Sequence, residues 1–125
     1  MRLLLDAHTL LWWLADDATL APEARSLISD PENDVLVSAA TVWEIALKQA
    51  LGKLDAPDDL VDVLSLIGFE EVPITGADGY AAAGLDAHHR DPFDRMLVAQ
   101  ALRLEASIIS RDPVFARYPA TTIPA

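Results

Sequence analysis

The sequence predicts an α/β sandwich with a mostly parallel central sheet, and three observations carry that expectation. Short apolar runs at Met1 to Leu5, Asp34 to Val37, Glu71 to Ile74, Ser107 to Ser110 and Thr121 to Ile123 read as strands, about five in all by length and pattern. Helical patterns separate the first four, so their connections are crossovers rather than hairpins. The first and fourth runs read as strands covered on both sides. With 125 residues, a single domain over 1–125 is expected, large enough to bury roughly two-thirds of its unfolded surface.

In chain order, the first strand ends at Asp6, which its carboxyl end would present. Thr9 to Leu14 is apolar almost all round. A second face covered by another helix or another subunit is therefore expected, beside the alternative of a helix wholly inside its own domain. Asp16 to Leu20 is turn-like, and Ala21-Pro22-Glu23 opens a helix to Ser29 that Asp30-Pro31 closes. A third helix, Ser38 to Leu51, is halted by Gly52; Val42, Ile45, Ala46 and Gln49 share one side of it, and Glu44 points elsewhere. Asp58 to Ile67 places Leu60, Val61, Leu64 and Ile67 inward, and Ala77 to Leu85 is a helix of small residues suited to close packing. Asp91-Pro92 starts the next helix, with Asp91 as N-cap and Pro92 at the first helical position. Phe93, Leu97, Ala101 and Leu104 form its core stripe, and Asp94 stands off it near the N-terminal end. A loop through Tyr118-Pro119 leads to the last strand, read as an edge.

Composition limits the function. The net charge is −11, from 20 acids against 9 Lys and Arg, which argues against binding nucleic acid through a broad basic face. Contact with a phosphodiester would need a divalent metal at an acidic cluster, helped by local cations such as Lys48, Lys53, Arg90, Arg95 and Arg111. An acidic chain also suits a basic partner. There is no cysteine, so no disulfide or thiolate metal site. Leu3 to Leu5 is stopped by Asp6 and no apolar run approaches a membrane span, so neither a leader nor membrane insertion is expected, and the location expected is cytoplasmic.

The acids supply the chemistry. Asp6 falls at the carboxyl end of the first strand, Asp112 just past that of the fourth, Asp94 at the start of the helix leading into the fourth, and Glu44 about a turn into the helix after the second. Each also has a purely local role: Asp6 and Asp112 as N-caps, Asp94 with Asp91 in a capping pair, Glu44 as the partner of Lys48 at i+4. Together over one sheet edge, the four carboxylates would repel and raise one another's pKa unless a cation lay among them. Oxygen-only ligands suit Mg²⁺ or Mn²⁺. If so, removing one charge in the absence of metal is expected to raise the melting temperature. The acids explain the chemistry without His8, His88 or His89, so no catalytic histidine is expected.

Four stretches resemble the PIN-domain endoribonucleases, and among them the VapC-like toxins of toxin–antitoxin pairs. They are Leu3 to Leu14, Val37 to Lys48, Asp91 to Ala101 and Ile108 to Asp112. The second and third are the specific ones. The resemblance implies a three-layer α/β/α sandwich and a Mg²⁺- or Mn²⁺-dependent ribonuclease leaving 3′-hydroxyl and 5′-phosphate ends. It also implies a homodimer, which the apolar helix around Leu11, Trp12 and Leu14 would permit, and a cognate antitoxin that blocks the site. It assigns Asp6 and Asp94 as principal metal ligands, Glu44 to bind metal or orient the water, Asp112 to complete the shell, and Asp91 as an accessory. Ala7 stands where the family often has Ser or Thr, and Ser110 where it has Thr. A hydroxyl that orients metal or phosphate is then expected from Thr9, Ser38, Thr41 or Ser110, and phosphate contacts from Arg90, Arg95 or Arg111. Two other readings remain open: a catalytically inactive PIN-like interaction module, and a receiver- or phosphatase-like domain with an aspartyl phosphoacceptor. The latter wants a lysine after a late strand, where this chain has Ser110-Arg111-Asp112.

Overall fold

A computed structural model describes residues 1–87 and 90–125. Five strands, β1 (Arg2–Leu5), β2 (Asp34–Ser38), β3 (Glu70–Val72), β4 (Ser107–Ser110) and β5 (Thr122–Pro124), form one sheet in the order β3-β2-β1-β4-β5. Every neighbouring pair is parallel, because each return to the sheet passes through helix or turn on its face. Leu4 pairs with Leu36 on one side and Ile108 on the other, so β1 is the centre of the register.

Side chains alternate across the strands, and both faces are dry. Leu3, Leu5, Val35, Val37 and Ile109 point to one face, where Leu10 of α1 (Ala7–Leu14), Ala24 and Ile28 of α2 (Pro22–Ser29), Ile45 of α3 (Ala39–Ala50) and Leu60 and Leu64 of α4 (Leu60–Leu66) complete a cluster. Leu4, Leu36, Val72 and Ile108 point to the other, under Leu97, Val98 and Ala101 of α6 (Pro92–Leu104), with α5 (Gly76–Ala83) packed on α6. This is the expected three-layer α/β/α sandwich. Each fully buried Leu contributes roughly 1.5–3 kcal/mol of burial, the source of most of the sheet's stability.

Several local expectations shift. β3 ends at Val72 rather than Ile74, because Pro73 has no N–H to extend the ladder. A 3-10 turn at Pro113–Arg117 occupies part of the expected loop and drives Phe115 fully into the second cluster. α4 is seven residues long and buries only Leu60 and Leu64; Val61 and Ile67 are solvent-exposed, as is Ala46 of α3. Gly52 does end α3, in the left-handed region at φ +70°, where its N–H and that of Lys53 satisfy the carbonyls of Gln49 and Lys48. Leu11, Trp12, Trp13 and Leu14 of α1 are half-buried against the chain's own first cluster. Among the apolar side chains left in solvent, Trp43 and Leu47 of α3 and Leu51 at its C-cap stand in a row at i, i+4 and i+8.

A polar network that no local pattern announced joins α5 to α6. Asp78 is fully buried and closes a capping box with Thr75. Arg103 grips both its oxygens, Nε to Oδ1 at 2.6 Å and Nη2 to Oδ2 at 3.0 Å, and Gln100 Nε2 adds a third bond. Burial alone would raise the Asp78 pKa; the bonds from Arg103, the Thr75 N–H and Gln100 outweigh it and hold the carboxyl at about 2. The folded pKa is therefore below the unfolded value of 3.8. The linked stability, roughly 2.5 kcal/mol, is full above about pH 4 and is lost as pH falls toward 2. Denaturant titrations from pH 5 to pH 2 should show that loss in the native chain and much less of it in Asp78→Asn.

Candidate active site

The strand order sets where a ligand can sit. The chain runs outward from β1 to β2 and β3, then returns to β4 on the other side of β1, so the crevice opens over the carboxyl ends of β1 and β4. A cavity of about 170 Å³ lies there, lined by Asp6, Ala7, His8, Trp12, Glu44, Lys48, Asp91, Asp94, Arg111 and Asp112. The four expected carboxylates and Asp91 thus share one cavity, although β1, α3, α6 and the turn after β4 deliver them from across the sequence.

Their local roles are also real. Asp6 is the N-cap of α1, its Oδ1 accepting the Thr9 N–H at 2.9 Å while Oδ2 accepts the Ser110 hydroxyl. Ser110 in turn accepts the Asp112 N–H at 3.0 Å, so one hydroxyl links the carboxyl ends of the two central strands. Asp112 caps the 3-10 turn through the Val114 N–H. Asp91 caps α6 through the N–H groups of Phe93 and Asp94. Glu44 is buried, and its Oε2 accepts a 2.6 Å bond from Lys48 Nζ. That bond, followed by the nearby charges of Glu44, Asp91 and Asp94, raises the Lys48 pKa against an opposing effect of burial. The local and the collective readings of these acids are therefore compatible.

The remaining expected residues divide. Of the hydroxyls, Ser110 meets the carboxylates; Thr9 donates to the Ile109 carbonyl and ties α1 to β4, and Ser38 caps α3. Thr41 lies one turn before Glu44, buried, and its Oγ1 has no protein partner among the described residues. Arg111 lines the cavity with its guanidinium 4.8 Å over the Trp12 ring, donating to the main-chain oxygens of Thr19 and Ala125. Arg95 does not reach the cavity: it donates to the carbonyls of Ala82, Ala83, Leu85 and Asp86 and closes the end of α5. Arg90 is exposed and outside the lining. His8 stands at the rim in ring contact with Trp12, whereas His88 and His89 lie outside the described residues. Trp43 of α3 packs edge-on against Phe93 at 5.1 Å, joining α3 to the first turn of α6 beside Asp94.

The donors suit a hard divalent cation in kind, being oxygens with negative charge and no sulfur, and the orphaned Thr41 hydroxyl is one more oxygen on that face of α3. As they stand, the carboxylates of Asp6, Glu44, Asp91 and Asp112 are engaged by protein donors, and among the described residues no three acids or histidines are gathered as a ligand group. Asp6, Glu44, Asp94 and Asp112 would be the residues to hold the ion.

Comparison with known proteins agrees with this architecture. The model of the PIN domain family matches residues 3–120. Ribonuclease VapC16 of Mycobacterium tuberculosis is 47% identical over 45 residues, which are 36% of this chain and 30% of that protein, so the match spans under a third of the relative's length. Among solved structures, VapBC2 from Rickettsia felis bound to a DNA fragment from their promoter superposes with a TM-score of 0.72 at 12% identity, over 100% of this chain and 99% of that one. A toxin–antitoxin complex from Klebsiella pneumoniae gives 0.64 at 18% identity, over 96% and 94% of the two chains. At such identities the likeness concerns the fold. No helix among the described residues is long and apolar enough to cross a membrane. A family model spanning nearly the whole sequence and a five-stranded parallel sheet with acids over its central crevice lead to one assignment: the chain belongs to the PIN domain family, and the relatives it resembles are of the VapC kind.

Proposed function

We propose that the chain is a VapC-like toxin, an endoribonuclease that needs Mg²⁺ or Mn²⁺, acts in the cytoplasm and is silenced by a cognate antitoxin. The observation that carries this reading is the convergence of Asp6, Glu44, Asp94 and Asp112 on one cavity at the crevice of the sheet. When bound, the cation would lower the pKa of a water, polarise the phosphoryl oxygen and steady the leaving alkoxide. Asp6 and Asp94 are its principal holders, Asp112 completes the set, and Glu44 binds it or orients the attacking water. Ser110 fixes the Asp6 carboxylate and the Asp112 main chain, and Asp91 keeps Asp94 at the cavity by capping α6. Arg111 at the rim, and Arg90, are the cations for flanking phosphates. Arg95 is withdrawn from that role, since its guanidinium serves the carbonyls behind α5.

The net charge of −11 supports a basic antitoxin segment as partner. Homodimerisation belongs to the same proposal, through the exposed Trp43, Leu47 and Leu51 side of α3 rather than through α1. The test is to purify the chain free of any partner and incubate total cellular RNA with Mn²⁺ or with chelator, mapping the ends. Metal-dependent cuts with 5′-phosphate and 3′-hydroxyl ends are expected; intact RNA under both conditions would sink the reading. A catalytically inactive interaction module is the second reading, favoured by the engagement of Asp6, Glu44 and Asp112 with protein donors, and absence of any Mn²⁺-induced thermal shift would select it.

A further inference from the structure

Lys48 has no part in the ligand set and yet lines the same cavity and bonds one of its members. Its ammonium bonds Glu44 at 2.6 Å, where the Glu44 side chain is 9% exposed and that of Lys48 36%. Surface pairs at this helical spacing contribute little, but this one has a buried acceptor and faces a cavity that also holds Asp6, Asp91, Asp94 and Asp112. The other Lys or Arg among the described lining residues, Arg111, bonds the Thr19 and Ala125 oxygens and lies over the Trp12 ring rather than on a carboxylate of the cavity. Five acids and one ammonium thus line the same small cavity, and the lysine side chain, partly exposed on a flexible four-carbon stem, is able to move off its acceptor.

We propose that Lys48 is a resident counter-ion of the acidic cavity: it holds Glu44 in the absence of metal, and a divalent cation enters by displacing the ammonium from that carboxylate. The inference rests on the metal-dependent reading above and adds to it a competition between two cations for one acceptor. It predicts that the lysine stabilises the metal-free chain and weakens metal binding.

The test uses the full chain and its Lys48→Met, Lys48→Gln and Lys48→Arg variants, with Mn²⁺ as the probe. Calorimetric titration should show Lys48→Met binding Mn²⁺ about tenfold more tightly than the native chain, the equivalent of removing a competing bond of about 1.4 kcal/mol. In chelator its melting temperature should fall by several degrees, and Mn²⁺ should restore more than it adds to the native chain. Lys48→Arg, which keeps the charge, should behave like the native chain in both measurements. Lys48→Gln can still donate to Glu44 without charge, so it should stay folded and bind Mn²⁺ more tightly, which keeps the test open if the methionine variant unfolds. Equal Mn²⁺ affinity in the native, Met and Gln forms overturns the role of Lys48 and leaves the metal reading standing. Failure of all of them to bind Mn²⁺ overturns both. Binding by the variants but not by the native chain supports both.

Discussion

Changing Asp94 or Asp6 to asparagine is expected to lower Mn²⁺-dependent RNA cleavage by about a thousand-fold, the equivalent of about 4 kcal/mol of transition-state stabilisation. Either change removes a formal charge from the cavity without changing side-chain size. The fold should survive, because Asn at position 94 leaves the Asp91 cap of α6 in place, and Asn at position 6 can still accept the Thr9 N–H. The two differ in stability. Both oxygens of Asp6 are in use, and an amide nitrogen in place of Oδ2 would face the Ser110 hydroxyl, which also accepts the Asp112 N–H. Asp6→Asn should therefore cost about 1 kcal/mol and lower the metal-free melting temperature by a few degrees. That reverses the rise expected from relief of repulsion alone. Cleavage at the native rate by either variant, with circular dichroism confirming the fold, would remove these residues from the chemistry.

Arg103→Met should be among the most destabilising single substitutions away from the apolar core, at about 3 kcal/mol near neutral pH. The methionine keeps much of the stem's packing but strands the Asp78 carboxylate, which is fully buried and retains only the Thr75 and Gln100 donors. For a chain of this length the melting temperature should drop by roughly 10 °C. The deficit should shrink in acid. Without the guanidinium, Asp78 takes up its proton at a higher pH than in the native chain, so as pH falls the variant sheds its buried charge first. A deficit that is constant from pH 7 to pH 3 would mean that Arg103 acts by packing, not by charge.

The parts of the fold that were legible in the sequence were those with a strong local signal. Val35 to Val37 and Ile108 to Ile109 lie in a sheet buried on both faces, so their apolar runs had no helical alternative of comparable length. Asp91-Pro92 and Gly52 fixed helix ends because a capping carboxylate, a preset φ and a left-handed residue act within one turn. The clustering of four acids followed from strand-end positions and sheet topology. What escaped depended on direction or distance. Arg95 adjoins Asp94 in sequence, yet successive helical residues point about 100° apart, and its side chain turns to the back of α5. Asp78 sits in a run of small residues and meets Arg103 twenty-five positions later, a contact that periodicity does not encode. Val61 and Ile67 matched the inward pattern of a longer helix than the one that forms. Lys48 was legible as the i+4 partner of Glu44 and as a cation near the acidic cluster; that it shares the cavity lining with Asp91 and Asp112 is added by the structure.

The contact between Trp43 and Phe93 ties two properties of the molecule together. The indole belongs to the water-exposed side of α3, one position before the buried Glu44, and the ring it touches precedes Asp94 by one residue. Whatever comes to rest on that indole bears mechanically on both helices that supply acids to the crevice. Under the proposed function, assembly state and reactivity would then rise or fall together, and a change at the outer surface of α3 would be read out as a change in turnover.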